Sequence, residues 1–160
     1  MFTLKDNKLI PCLVIALHIF VLDQVSKALV VASLTDHKPI PILPNLNFIL
    51  EYNKGAAFGM LSDFGGWQRW LFIAIAVVIS ALILAWSTRL KSKDTWEGVA
   101  LGCILGGALG NLADRIYYGH VIDFIDFYIG QWHWYTFNIA DITICEGAAI
   151  LVYLSFTRKR

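Results

Sequence analysis

Charge is what this chain has least of. Only 16% of its 160 residues are Asp, Glu, Lys or Arg, against roughly 25% in a soluble domain. The 13 basic and 12 acidic side chains nearly cancel, leaving a formal charge of +1, so no basic field is available to hold a nucleic acid. Cysteine is scarce as well. Cys12, Cys103 and Cys145 lie in apolar runs without metal-site spacing, which fits buried free thiols better than a disulfide framework. The histidines His18, His37, His120 and His133 are scattered, and neither H-E-x-x-H nor G-x-S-x-G occurs. A zinc-dependent or serine membrane protease of those types is therefore disfavoured. Repeats, low-complexity tracts and linkers are missing too, so residues 1–160 read as one integral membrane domain.

What the chain has in abundance is apolar surface: 58% of residues are hydrophobic and the mean hydropathy is +0.62. A bilayer-crossing helix needs about 20 apolar residues, and four such runs stand near 9–32, 70–86, 96–113 and 139–156. Trp67, Trp70, Trp86, Trp96, Trp132 and Trp134 fall near the ends of these runs, where interfacial aromatics belong. Basic residues gather before the first run (Lys5, Lys8), after the second (Arg89, Lys91, Lys93) and after the fourth (Arg158, Lys159, Arg160). With four alternating spans these clusters share one side, which the positive-inside rule makes cytoplasmic. Both termini are then cytoplasmic, and residues 33–69 and 114–138 face outward. The length of span one and its internal Asp23 and Lys27 mark a retained helix rather than a cleaved signal peptide.

The outer segment 33–69 is patterned. Pro39, Pro41 and Pro44 punctuate its start, Phe48–Tyr52 reads as a strand, and Asn53-Lys54-Gly55 offers a turn. A second short strand through Ala57–Leu61 completes an expected hairpin, and Ser62–Trp70 reads as an interfacial lead-in to span two. The fold class expected is thus all-α and membrane-spanning: four helices, a small outer β-hairpin or sheet cradle, and an interfacial helix.

The few ionisable residues cluster at one membrane face. In span three, Asn111, Asp114 and Arg115 are spaced i, i+3, i+4, on one helical face at its outer end. An Asp114–Arg115 interfacial anchor is the plain reading, but amide and guanidinium groups together suit the carbonyls of an extended peptide. Gly102, Gly106, Gly107 and Gly110 form small-xxx-small patterns that admit a close neighbour. Asn138 and Asp141 open span four with the spacing of a capping box. That leaves Asp123 unexplained; Asp126, three residues on, is its rival and reads as a solvated or loop-bonding residue. In span one, Asp23 and Lys27 (i, i+4) form either a self-satisfied pair or a substrate contact. His18 reads as a helix-interface histidine, Asn53 as a turn residue, and Glu146, deep in span four, as a carboxyl needing a proton or a partner.

Five segments occur in order: Asp23-Gln24-Val25-Ser26-Lys27; Asn53-Lys54-Gly55-Ala56-Ala57-Phe58; Gly106 through Arg115; Val121-Ile122-Asp123-Phe124; and Phe137-Asn138-Ile139-Ala140-Asp141. Across nearly its full length the chain resembles the bacterial lipoprotein signal peptidases (signal peptidase II). The resemblance implies an aspartic endopeptidase of the bacterial cytoplasmic membrane with Asp123 and Asp141 as the catalytic pair. It implies that Asp23, Lys27, Asn53, Asn111, Arg115 and Asn138 bind substrate or support the pair. The substrate implied is a prolipoprotein carrying diacylglyceryl on its cysteine, cut just before that residue at the outer face. No metal or cofactor is called for, and one copy among the membrane lipids holds every part, so a monomer is expected. Two other classes compete: a small transporter with Asp23, Lys27 and Glu146 along an ion path, and a non-enzymatic lipoprotein-binding assembly factor.

Overall fold

Long apolar runs with no water to satisfy their backbone must close their own hydrogen bonds, and helices do this within a single segment. In the computed structural model, which describes residues 8–35, 37–55, 66–91 and 93–157, four helices do so. They are α1 (Leu9–Ser33), α2 (Gln68–Ser87), α3 (Thr95–Tyr117) and α4 (Ile139–Thr157), each long and apolar enough to cross a membrane. Helix α3 extends beyond the expected 96–113 because Asp114 and Arg115, read as the polar end of the span, lie inside its last two turns.

Helix α3 is the hub: 61% of its span is buried, against 11–17% for the other three. Its glycines explain how. A methyl group added at Gly102 or Gly106 would strike α1 at the Cys12 and Ala16 carbonyls. One at Gly107 would strike the Ala140 carbonyl of α4, and one at Gly110 the Asp23 carboxylate. Without a hydrophobic force between helices in lipid, such backbone-level approach is what holds a bundle. Cys12, Ala16, Ile83, Leu90, Leu101 and Leu105 pack the interior between α1, α2 and α3.

At the end of the bundle where α1 and α3 finish and α2 and α4 begin lies a four-stranded antiparallel sheet in the order β1 (Ile40–Leu43), β2 (Leu46–Asn53), β3 (Val121–Ile129), β4 (Trp132–His133). The expected strand Phe48–Tyr52 lies within β2. Before it in sequence, β1 pairs with the first residues of β2 through a turn at Pro44-Asn45, with Asn45 at φ +68°. Pro41 is tolerated because β1 is an edge strand, where a missing N–H need not break a ladder. On its other side β2 pairs with β3, joining positions about seventy residues apart. The expected strand Ala57–Leu61 and the Ser62–Gly65 part of the interfacial lead-in lie outside the described residues, as do Lys5 and Arg158–Arg160. Val30, Leu50, Ile122 and Phe124 form a second apolar cluster that seats the sheet on the C-terminal end of α1.

Two junctions aim the site. The β2–β3 register shifts between Phe48 and Glu51, and beyond the shift Glu51 stands opposite Asp123 and Asn53 opposite Val121. Ile125 and Phe137 form an isolated bridge, with Ile125 N donating to Phe137 O at 2.8 Å and Phe137 N returning to Ile125 O at 3.1 Å. The bridge clamps β3 to the start of α4.

Candidate active site

Asn53 and Asp123 sit diagonally across the β2–β3 ladder, where side chains on one face meet. Asn53 Nδ2 donates to Asp123 Oδ2 at 2.9 Å, and its own Oδ1 accepts from Gly55 N at 2.9 Å. The Asn53 turn is thus an Asx turn whose free amide holds a carboxylate. From the other side Asn138 Nδ2 donates to Asp123 Oδ1 at 2.7 Å. The start of α4 forms the reciprocal capping box its spacing implies: Asp141 N donates to Asn138 Oδ1 at 3.0 Å, and Asn138 N to Asp141 Oδ2 at 3.2 Å. The remaining Asp141 oxygen accepts from Asn111 Nδ2 at 2.8 Å.

Asp123 and Asp141 line a single cavity of about 540 Å³ together with Asn53, Asn111, Arg115, Val121 and Phe137, and Ile142, Ile144, Cys145 and Glu146 also contribute to its wall. Asp123 is 2% exposed, and burial, followed by the negative charge of Asp141, pushes its carboxyl up to about 7. The Asn53 and Asn138 amides and the more distant Lys27 charge pull the other way. A carboxyl that holds its proton near neutrality, beside a second carboxylate, is equipped for acid/base work without a metal. Among the described residues no group of three or more His, Cys, Asp or Glu has the arrangement of a metal site.

Behind the pair lies a buried ionic network. Lys27, 1% exposed, pairs with Asp23 Oδ2 and Asp114 Oδ2, both at 2.8 Å, and donates to Asn111 Oδ1 at 3.0 Å. Asp23 Oδ1 accepts from Ala140 N at 3.0 Å, tying α1 to the first turn of α4. Asn138 Nδ2 also lies 3.1 Å from Asn111 Oδ1. With its oxygen facing Lys27 and Asn138, the Asn111 amide has only its nitrogen left for Asp141. Lys27 thereby orients the amide that contacts the pair.

Arg115 does not join Asp114. Adjacent helical residues point apart, so Arg115 bonds Gly55 O at 3.4 Å and Asn111 O at 3.3 Å, its guanidinium 5.0 Å over the Phe72 ring. Asp114 instead belongs to the buried network, accepting also from Gln24 Nε2 at 2.9 Å and Ile122 N at 3.2 Å. Sequence reasoning missed Asp114 and Gln24 as members of this network; Asp114 shares the α3 face of Asn111, whereas Gln24 only follows Asp23 in the chain and reaches the network through its long side chain. Arg69 was missed too: it caps α3 through Arg115 O at 2.7 Å and Ile116 O at 2.9 Å. Of the two readings of Asp126, solvated or loop-bonding, the structure has the bonding one: it is 4% exposed, accepting from Asn47 Nδ2 at 2.8 Å and facing His133 Nδ1 at 2.7 Å. It is held inside the sheet and does not line the acidic cavity. His18 is exposed on α1, its Nδ1 2.7 Å from Val14 O, not lodged between helices.

Fold and site define a multi-pass membrane enzyme with an acid-lined cavity where the helices meet the sheet. A family model described as "Signal peptidase (SPase) II" matches residues 15–157. A lipoprotein signal peptidase of Hydrogenovibrio crunogenus is 50% identical over 145 residues, covering 91% of this chain and 84% of that protein. The Vibrio cholerae protein of the same name is 43% identical over 160 residues, covering 99% and 93%. A solved structure described as a bacterial membrane enzyme, obtained by the in meso method, superposes with a TM-score of 0.81 at 27% identity, over 94% of this chain and 93% of that one. The chain belongs to the signal peptidase II family of aspartic-type membrane peptidases.

Proposed function

We propose that this enzyme removes the signal peptide from diacylglyceryl-modified prolipoproteins, cutting just before the lipidated cysteine, with Asp123 and Asp141 activating the water. The observation that carries the reading is the pair's setting: two carboxylates from β3 and α4 line one cavity where the helices meet the sheet. Each is held by two hydrogen-bonding residues, Asp123 by Asn53 and Asn138, and Asp141 by Asn111 and Asn138. An apolar signal segment lies among the helices, its lipid chains stay in the bilayer, and the scissile bond rests at the outer surface where water enters.

The pair shares one proton and titrates as a unit. Asp141 stands in the first turn of α4, where the helix dipole favours a negative charge. Asp123 keeps the proton near neutrality. Asp141 then draws a proton from water as the oxygen attacks the carbonyl carbon; Asp123 polarises the carbonyl, and a proton passes to the leaving amine as the C–N bond breaks. Arg115 and the asparagines hold the peptide backbone, and Asp23 and Lys27 hold Asn111. Both termini are cytoplasmic, the chain works as a monomer, and neither metal nor cofactor takes part.

Incubating the purified protein with a diacylglyceryl-modified precursor and with its unmodified counterpart tests the reading. Release of the signal peptide from the modified precursor alone supports it. Cleavage of neither, or ion flux through proteoliposomes without cleavage, overturns it.

A further inference from the structure

The Lys27 network has cavities on two sides. Successive strand residues point to opposite faces of a sheet. Asn53, Val121 and Asp123 face the acid cavity, whereas Tyr52 and Ile122, paired across β2 and β3, line a second cavity of about 410 Å³. Gln24, Lys27, Asp114, Tyr118 and His120 also line it, and no residue lines both cavities. A third cavity, of about 480 Å³ with apolar and aromatic walls, lies lower in the groove between α1 and α3. One stripe of α1 serves these two. Leu13, Leu17 and Phe20 wall the apolar slot, and Gln24, Ala28 and Val31 the polar chamber, at the three- and four-residue spacing of a single helix face. Leu17 and Ile116 are exposed, so the slot opens on the lipid.

A polar chamber at the sheet end, with an apolar slot leading toward the bilayer middle, has the polarity profile of a phospholipid. We infer that this groove binds one phospholipid with an alkylammonium headgroup, the ammonium against the Tyr118 and His120 rings and an acyl chain in the slot. Charge selects that headgroup. Lys27 commits its three donors to Asp23, Asp114 and Asn111, so it has none left for a phosphate. The two carboxylates outnumber it, which leaves the chamber wall negative. Burial pushes the His120 ring below the ordinary histidine range, against the pull of Asp114, so it presents an uncharged ring at neutral pH. Tyr118 stacks beside that ring at 6.0 Å and Tyr52 meets it edge-on at 4.6 Å. Aromatic rings backed by a carboxylate attract an ammonium group. Lys54, exposed and close enough for its charge to act on His120, supplies the counter-charge for the phosphate.

The test titrates the full-length protein in detergent with phosphatidylethanolamine, phosphatidylglycerol and water-soluble phosphoethanolamine, and counts bound lipid by native mass spectrometry. Phosphatidylethanolamine binds about tenfold more tightly than phosphatidylglycerol, the worth of a partly desolvated cation–π contact. Tyr118→Ala lowers that ratio about fivefold through the loss of one ring, and Tyr118→Phe, which keeps the ring, stays near the parent. Leu17→Trp, at an exposed position that tolerates bulk, fills the slot and weakens both lipids alike. Equal binding of the two lipids, or an unchanged ratio in Tyr118→Ala, overturns the headgroup assignment. Undiminished binding in Leu17→Trp, or displacement of the lipid by an equal concentration of phosphoethanolamine, overturns the assignment of the slot. No cleavage is measured, so the peptidase reading stands or falls separately.

Discussion

Replacing Lys27 with methionine is the sharpest probe of how the bundle supports the pair. Methionine keeps the aliphatic stem and deletes the ammonium. Two 2.8 Å ion pairs and a 3.0 Å bond to Asn111 vanish together. Asp23 and Asp114, at 0% and 1% exposure, are left facing each other without a counter-ion. Breaking a buried pair by removing one partner costs about 3–5 kcal/mol, which for a chain of this size lowers the melting temperature by about 10 °C. Adding Asp114→Asn removes the orphaned charge and restores part of the loss, so the two substitutions are not additive; residues in one network couple by about 0.5–3 kcal/mol. Activity falls as well, in kcat more than KM, because the Asn111 amide loses the contact that points its nitrogen at Asp141. Thermal unfolding in detergent, read beside turnover, measures both effects. A melting temperature within about 2 °C of the parent for Lys27→Met, a shift of less than 1 kcal/mol on the same scale, refutes the reasoning. So does strict additivity in the double variant.

Other outcomes follow from the same contacts. The unfolded chain releases the Asp123 proton near pH 4 and the folded chain near 7, so this group's stabilising contribution is complete below about pH 4 and lost as pH rises through about 7. Asp123→Asn, neutral at every pH, therefore melts higher than the parent at pH 8, and the gap closes at pH 4; the same gap at both would contradict the assignment. Asn53→Ala removes a bond that favours ionised Asp123, so the alkaline limb of the kcat/KM profile moves upward in pH; a downward move refutes the role. Asp126→Asn weakens the contacts to Asn47 and His133 by about 1–3 kcal/mol yet keeps turnover within a few-fold, and loss of turnover equal to that of an Asp123 variant would show the wrong carboxylate was chosen.

Much of the fold was legible because hydropathy is a long-range sum: each span runs 19–25 residues and needs no knowledge of its neighbours. The sheet was legible only in part. Val121–Ile129 carries the β-branched and aromatic residues of a strand, but two aspartates interrupt the run, and nothing local says it pairs with residues seventy positions earlier. Its pairing depends on Leu50, Ile122 and Phe124 burying together against Val30. The capping box at Asn138–Asp141 was legible because it is local in sequence. Asp114 was not: adjacency to Arg115 suggests a pair, whereas helical rotation turns it toward Lys27 on α1. Asp126, expected to be solvated or loop-bonding, is of the bonding kind, which only the fold decides by bringing Asn47 and His133 over it.

The central claim is that Asp123 and Asp141 act on one water, and turnover of the single-site variants tests it most directly. Asp123→Asn and Asp141→Asn, purified and shown to be folded by their melting curves, bind the diacylglyceryl-modified precursor but release no signal peptide. Measurable multiple turnover by either variant would contradict the account.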